Sequence, residues 1–230
     1  MKIKKFYIIS TPINGMIAEM GSRAKEALQQ SGIILIESFL SAKKTLDLLK
    51  VDFTQKTLLE LSEHTENMQA HKLLKEVLEV EYASLICDAG TPVFADPGYE
   101  LVRLLIQQKV ELSHIPAISS VLSAIVLSGF DLRTYYFAGF PPREGQDRDI
   151  FFKRLSHHKE PIILMDTAYR FQKLLGEVAA SFRKHRKVCI CFDIGTEEQC
   201  IYRGTLEEAQ KYYTDQTVKK HPFILVLAKN

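Results

Sequence analysis

The residues of this 230-residue sequence most able to do chemistry lie in one short run, Cys87-Asp-Ala-Gly-Thr-Pro-Val-Phe-Ala-Asp-Pro-Gly98. It follows an apolar, strand-like stretch at 83–87 and precedes a helical pattern starting near Tyr99. A turn of small residues at the carboxyl end of a strand lets a ligand approach the backbone closely. Asp-Pro-Gly is also an ordinary turn signal. On local physics the run reads equally as a ligand loop and as a structural turn.

Other chemistries are set aside by spacing. The glycines at 15, 21, 32, 90, 98, 129, 139, 145, 176, 195 and 204 include no pair two, four or five positions apart. That removes the dinucleotide fingerprint G-x-G-x-x-G, the nucleophile elbow G-x-S-x-G and the phosphate loop G-x-x-x-x-G-K-[ST]. Cysteines stand at 87, 189, 191 and 200 with no C-x-x-C pair. Three of them sit in apolar runs and read as buried free thiols of a reducing cytoplasm. The seven histidines show no metal-ligand spacing, so no metal is expected.

The elements that must position the 87–98 run follow from periodicity. Strands are predicted at 6–10, 33–37, 57–62, 83–87 and 111–115, and again at 135–138, 161–165, 188–192, 199–202 and 223–228. Helices are predicted near 20–30, 41–50, 66–80, 98–108, 119–128, 148–157, 168–181 and 205–213, with Ser41 as one N-cap. Thr205-Leu-Glu-Glu208 has capping-box spacing. The alternation predicts an α/β protein with largely parallel sheets. A proline after a strand near the midpoint, in Ile115-Pro116, divides it into two α/β domains, 1–115 and 116–230, with a ligand cleft expected between them.

Composition is that of a globular chain: 46% hydrophobic and 25% charged residues argue against disorder. No run of about 18 apolar residues exists, so no membrane span is expected. The basic start and short apolar stretch at the N-terminus read as a first buried strand rather than a signal peptide. Net charge is +2, distributed as −2 over residues 1–115 and +4 over 116–230. Arg183-Lys-His-Arg-Lys187 and the stretch containing Arg143, Arg148, Lys153, Arg154, His157, His158 and Lys159 are the densest basic segments. Each reads as solvated surface or as a footprint for a phosphate backbone.

Several segments together resemble one family. Asp88-Ala-Gly-Thr-Pro92 with Ala95-Asp-Pro-Gly-Tyr99 is similar to the signature of the small-subunit ribosomal RNA methyltransferases of the tetrapyrrole-methylase superfamily. Phe6-Tyr-Ile-Ile-Ser-Thr-Pro-Ile13, Ser62-Glu-His-Thr-Glu-Asn67, Tyr136-Phe-Ala-Gly-Phe-Pro141, Arg203-Gly-Thr-Leu206 and the terminal strand at 222–227 follow the family order. Some segments depart: Glu37-Ser-Phe-Leu40 keeps only the glutamate of an acidic family segment. Pro116-Ala-Ile-Ser119 and Met165-Asp-Thr-Ala-Tyr-Arg170 also differ from the family pattern.

The resemblance implies two α/β domains of tetrapyrrole-methylase type with a cofactor cleft between them. It implies S-adenosylmethionine as methyl donor, with S-adenosylhomocysteine as product, a small-subunit RNA substrate, and a cytoplasmic homodimer with no membrane partner. By the same resemblance Asp88, Ala89, Gly90, Thr91 and Phe94 line the donor site. Ser119 and Ser120, Met165 and Cys191, and Pro222 and Phe223 join them from the second half. Met165, Cys191 and Phe223 read as well as core. A ribose hydroxyl acceptor must lose its proton, so a base would help. Glu37, His64 and Asp166, near predicted strand ends, are the candidates. A tetrapyrrole or other small acceptor on the same fold, and an RNA-binding homologue without turnover, are the competing functions.

Overall fold

The structure, a computed structural model, describes residues 2–62, 66–214 and 221–230. The apolar runs of the first half become β1 (Lys5–Ile9), β2 (Ile33–Ile36), β3 (Thr57–Glu60), β4 (Tyr82–Ile86) and β5 (Glu111–Ile115). They form a sheet in the order β3-β2-β4-β1-β5, parallel at every pairing. Between them run α1 (Gly21–Gln30), α2 (Phe39–Leu48), α3 (Glu66–Val77) and α4 (Tyr99–Gln107).

Successive strand residues point to opposite faces. Ile9, Ile34, Ile36 and Ile86 therefore pack with Ala24, Leu28 and Leu46 of α1 and α2. Phe6, Ile33, Leu35 and Leu85 pack with Leu73, Leu101 and Leu105 of α3 and α4. Covering both faces is what makes Ile33–Ile36 an unbroken apolar run. It also fixes where a ligand fits. The chain leaves β1 towards the face of α1 and leaves the adjacent β4 towards the face of α4. Loops that diverge from neighbouring parallel strands open a crevice at the carboxyl ends, the usual ligand position in such sheets.

The second half gives α5 (Ser120–Ser128), β6 (Tyr136–Gly139), α6 (Gln146–Leu155), β7 (Ile162–Asp166), α7 (Phe171–Ser181), β8 (Lys187–Phe192), β9 (Cys200–Thr205), α8 (Leu206–Thr214) and β10 (Phe223–Leu227). The sheet order is β6-β7-β10-β8-β9. Only β6 and β7 pair in parallel; β10 runs antiparallel to both β7 and β8, and β9 to β8. This corrects the expectation of largely parallel sheets. The link between β8 and β9, residues 193–199, is too short for a crossover, which needs a dozen residues or more, so the chain turns back as a hairpin.

Phe152 and Leu155 of α6, Leu174 and Val178 of α7, and Leu206 and Ala209 of α8 cover one face through Ile162, Leu164, Ile190 and Leu225. On the opposite face Ile163, Cys189, Cys191, Ile224 and Val226 are buried as well. The chain groups into two compact units, 1–119 and 120–230. Among the described residues no helix is long and apolar enough to cross a membrane.

Two helix starts are informative. Thr205 and Glu208 form the capping box in full: the Thr205 N–H donates to Glu208 Oε2 at 2.7 Å and the Glu208 N–H to Thr205 Oγ1 at 3.2 Å. The cap of α2 is Ser38 rather than Ser41. Ser38 has the extended backbone an N-cap needs, and its Oγ accepts the Ser41 N–H at 3.4 Å.

Candidate functional site

The crevice at the ends of β1 and β4 is built by reciprocal hydrogen bonds between the two diverging loops. The Thr11 N–H donates to the Gly90 carbonyl at 2.8 Å and the Gly90 N–H to the Thr11 carbonyl at 3.0 Å. Thr11 Oγ1 donates to the Cys87 carbonyl at 3.0 Å. The buried Ser10 Oγ lies 2.9 Å from Thr91 Oγ1 and 3.0 Å from His114 Nε2, so β5 is tied into the same cluster. Thr91 is thus aimed by Ser10, which His114 of β5 holds in turn.

Beyond Thr91 the turn is strained. Val93 and Ala95 hold φ values of +74° and +61°, in the left-handed region that disfavours side chains. Such strain costs on the order of 1–3 kcal/mol per residue and concentrates at ligand sites. The Val93 N–H to Pro97 carbonyl bond (3.2 Å) and the Phe94 N–H to Thr91 carbonyl bond (3.2 Å) hold the loop in this shape. Its two glycines do different work. A Cβ on Gly98 would meet Leu85 Cδ2 at 2.7 Å, so Gly98 is required by packing. At Gly90, whose φ is +97°, a Cβ would stand in ordinary contact with Asp96 Oδ2 and Ile13 Cγ2, both at 3.9 Å, so the backbone conformation rather than crowding calls for glycine.

Negative charge gathers at the same end. Glu37 Oε2 accepts the Asp88 N–H at 3.0 Å, and Ser38 Oγ donates to both Asp88 carboxylate oxygens at 2.9 and 3.0 Å. Burial, and then the neighbouring Glu37 and Asp88 charges, push the Asp96 carboxyl up to about 7. Burial and Asp96 push the Cys87 thiol up to about 12. Among the described residues no Lys, Arg or His is ion-paired with Glu37, Asp88 or Asp96. Three carboxyl groups without a cation beside a strained turn suit a small ligand that carries positive charge and hydroxyl donors. Ser10, Thr11, Ser38, Asp96 and His114 belong to this cluster, although none stands out by sequence pattern. Asp96 hides in the Asp-Pro-Gly turn signal, and His114 becomes a partner only through the pairing of β1 with β5.

The predicted site residues fare unequally. Asp88 and Ala89 are exposed, Gly90 and Thr91 half-buried and Phe94 exposed on the one turn, as the sequence placed them. Glu37, half-buried, is held to the turn as acceptor for the Asp88 N–H. His64 lies outside the described residues. Ser119 and Ser120 stand half-buried at the start of α5.

In the second unit Met165, Ile224 and Cys191 form one row across β7, β10 and β8. Pro222 is exposed, and its carbonyl accepts the Asp193 N–H at 3.1 Å. Phe223 stands on the other face, its ring 5.0 Å from that of Phe171 and 5.9 Å from that of Phe192 in the core, so it does not share a side with Met165 and Cys191. Asp166 is a correction. Its side chain is fully buried, and its oxygens take the Thr167 N–H at 2.7 Å, Arg170 Nε at 2.6 Å and an Arg148 nitrogen at 3.3 Å. Glu177 completes the pairing of Arg148 at 2.6 Å. A carboxylate enclosed by two guanidinium groups cannot reach a substrate; Asp166 holds β7, α6 and α7 together.

Comparison with known proteins converges on one group. The family described as Tetrapyrrole (Corrin/Porphyrin) Methylases matches residues 5–210. Proteins named ribosomal RNA small subunit methyltransferase I are similar along nearly the whole chain. That of Halalkalibacterium halodurans is 29% identical over 97% of this chain and 75% of its own. That of Synechocystis is 28% identical over 96% and 78%, and that of Thermotoga maritima 29% over 91% of each. Among solved structures, a diphthine synthase superposes with a TM-score of 0.70 at 13% identity, covering 99% of this chain and 90% of its own. A cobalt precorrin-4 methyltransferase of cobalamin biosynthesis superposes with a TM-score of 0.62 at 18% identity, covering 98% and 95%. At such identities these two likenesses speak for the fold.

Proposed function

The chain belongs to the tetrapyrrole (corrin/porphyrin) methylase family and is a methyltransferase, and from that premise we propose that it transfers a methyl group from S-adenosylmethionine to a ribose 2′-hydroxyl of small-subunit ribosomal RNA. The observation that carries the donor half is the strained turn at 88–98, locked by the Thr11–Gly90 bridge and flanked by Glu37, Asp88 and Asp96 without cations. The donor supplies a methyl group on a sulfonium, already activated for displacement. What the chain must do is bind, orient and exclude water, holding the reacting atoms about 3–3.5 Å apart. The three carboxyl groups favour the positive charge of the donor, and Gly90 leaves room for it against the backbone. Thr91, aimed through Ser10, offers a fixed hydroxyl. Ser119, Ser120, Met165 and Pro222 remain proposed contributors from the second half of the site.

The RNA half rests on the relatives' names and on the positive second half of the sequence. The acceptor hydroxyl gives up its proton as its oxygen takes the methyl group. Asp166, enclosed by Arg148 and Arg170, is not placed to take that proton, which leaves Glu37 as the candidate base among the described residues. The same reading makes the protein a cytoplasmic homodimer. Transfer of labelled methyl groups to small ribosomal subunits lacking this modification, beside a tetrapyrrole acceptor, tests the proposal. Label in the RNA that depends on the protein is expected. Label in the tetrapyrrole alone moves the function to a small acceptor. Donor binding without transfer to either means that turnover has been lost.

A further inference from the structure

The 183–187 run and Lys159, the end of the other basic stretch, come together at one end of the second sheet, and the residue that gathers them is itself buried. Arg186 is 4% exposed. Its Nε donates to the Ala228 carbonyl and an Nη to the Glu160 carbonyl, both at 2.8 Å, and its guanidinium lies 4.6 Å over the Phe182 ring. Burial lowers it to about 10. Arg186 is therefore a pin that joins the α6–β7 loop, the α7–β8 loop and the end of β10, and no part of a charged surface. Backbone bonds complete the junction: Ala228 N–H to Lys187 carbonyl at 3.0 Å, Asn230 N–H to Lys159 carbonyl at 3.1 Å, and Glu207 N–H to Lys184 carbonyl at 3.1 Å.

Around this pin Lys159, Arg183, Lys184, His185, Lys187 and Lys229 are all exposed. The carboxylates among them are Glu160, Glu207, Glu208 and Asp131: Glu207 reaches Lys184 only at 3.9 Å between two largely exposed side chains, Glu208 near Lys187 is taken up by the Thr205 cap, and Asp131 near Lys229 is paired with Arg133. At the other end of the same sheet the β8–β9 loop carries Asp193, Glu197 and Glu198, His221 pairs with Asp193, Arg148 and Arg170 enclose Asp166, and Pro222 and Met165 stand at the neighbouring strand ends. The two ends are separated by strands of four to six residues, roughly 17–20 Å for the longer ones.

We propose that this basic end is an anchor for the phosphate backbone of RNA, set a strand's length within the unit from the end bearing Met165 and Pro222. It rests on the RNA reading above and adds where the RNA is held. Phosphate contacts position a nucleic acid without reading its sequence. An anchor remote from Met165 and Pro222 grips a flanking part of a long or folded RNA, not the nucleotide that is methylated. Arg186, although in the middle of the basic run, takes no part except by presenting its neighbours.

The test is the salt dependence of binding to in vitro transcribed small-subunit ribosomal RNA. The variant replaces Lys159, Arg183, Lys184 and Lys187 with Gln and leaves Arg186 in place so that the loops stay joined. A control replaces the exposed Lys43, Lys50, Lys72 and Lys75 of the first unit. Each phosphate contact contributes a log–log slope of about 0.7 on single strands and 0.9 on a duplex. The anchor variant is expected to lose about 3 units of slope and at least tenfold in affinity near 0.1 M salt. The control should stay at the wild-type slope, and S-adenosylhomocysteine affinity should be unchanged in both. Equal slopes in wild type and anchor variant, an equal loss in the control, or binding to anionic vesicles with no salt-dependent RNA binding overturns the anchor. Absence of RNA binding by wild type would instead strike the RNA reading, whereas wild-type RNA binding that the anchor variant keeps at full slope strikes the anchor alone, so the two failures are distinguishable.

Discussion

Asp96 is the residue whose state the site most directly controls. Its folded value of about 7 stands above its ordinary 3.8. Between those values the folded chain holds a proton that the unfolded chain has released, so this group's contribution to stability falls as pH rises from about 4 to 7. A positively charged ligand favours the ionised cluster and drives that proton off. Affinity for S-adenosylmethionine should therefore climb as pH rises from 6 to 8, by up to about tenfold per unit below the inflection. Isothermal titration across that range should show the climb in wild type and a flat profile in Asp96→Asn. In Glu37→Gln one negative neighbour is gone, and the inflection should move to lower pH. A second residue-scale prediction concerns Asp166. Breaking a buried ion pair on one side costs about 3–5 kcal/mol. Asp166→Asn should lower the thermal midpoint by several degrees, read by calorimetry, while donor affinity persists in the protein that remains folded. An unchanged midpoint with lost transfer would return Asp166 to the chemistry.

Among the elements, the 88–98 turn was the most legible part of the sequence, because small residues and two prolines after an apolar strand leave few alternatives. Strand and helix positions were readable for the same reason: apolar runs on both faces of a parallel sheet and helical spacing between them. What the sequence did not disclose was strand direction in the second sheet, since periodicity is the same for parallel and antiparallel pairs. Only the seven residues between β8 and β9 carried that information, through loop length. Site partners such as His114 were hidden because register, not local pattern, brings them together. Arg186 and Arg148 read as surface charge in a basic run, yet packing takes both inside. The turn itself yields a prediction. Gly98→Ala forces a Cβ to 2.7 Å from Leu85 in addition to its positive φ, whereas Gly90→Ala meets nothing closer than 3.9 Å. Gly98→Ala should cost about 2–3 kcal/mol and Gly90→Ala about 1, at roughly 2–4 °C of thermal midpoint per kcal/mol. Equal midpoints for the two variants would contradict the packing role of Gly98.

At the scale of the whole molecule, each unit brings a different capacity. The first has a topological switch point with an acidic, strained turn at it; the second gathers exposed basic side chains around the buried Arg186 at one end of its sheet. Family membership accounts for the presence of the two units, and the chemistry of the turn is what the proposed donor binding rests on. The measurement that tests this most directly is calorimetric titration of S-adenosylhomocysteine into wild type and Gly90→Leu, with circular dichroism confirming that the variant is folded. A leucine there adds a bulky side chain beside Asp96 and Ile13, where the donor is proposed to meet the backbone. The account predicts saturable one-site binding to wild type and a loss of at least tenfold in the variant. Unchanged affinity in folded Gly90→Leu would contradict it, and the donor would then have to bind away from the 88–98 turn.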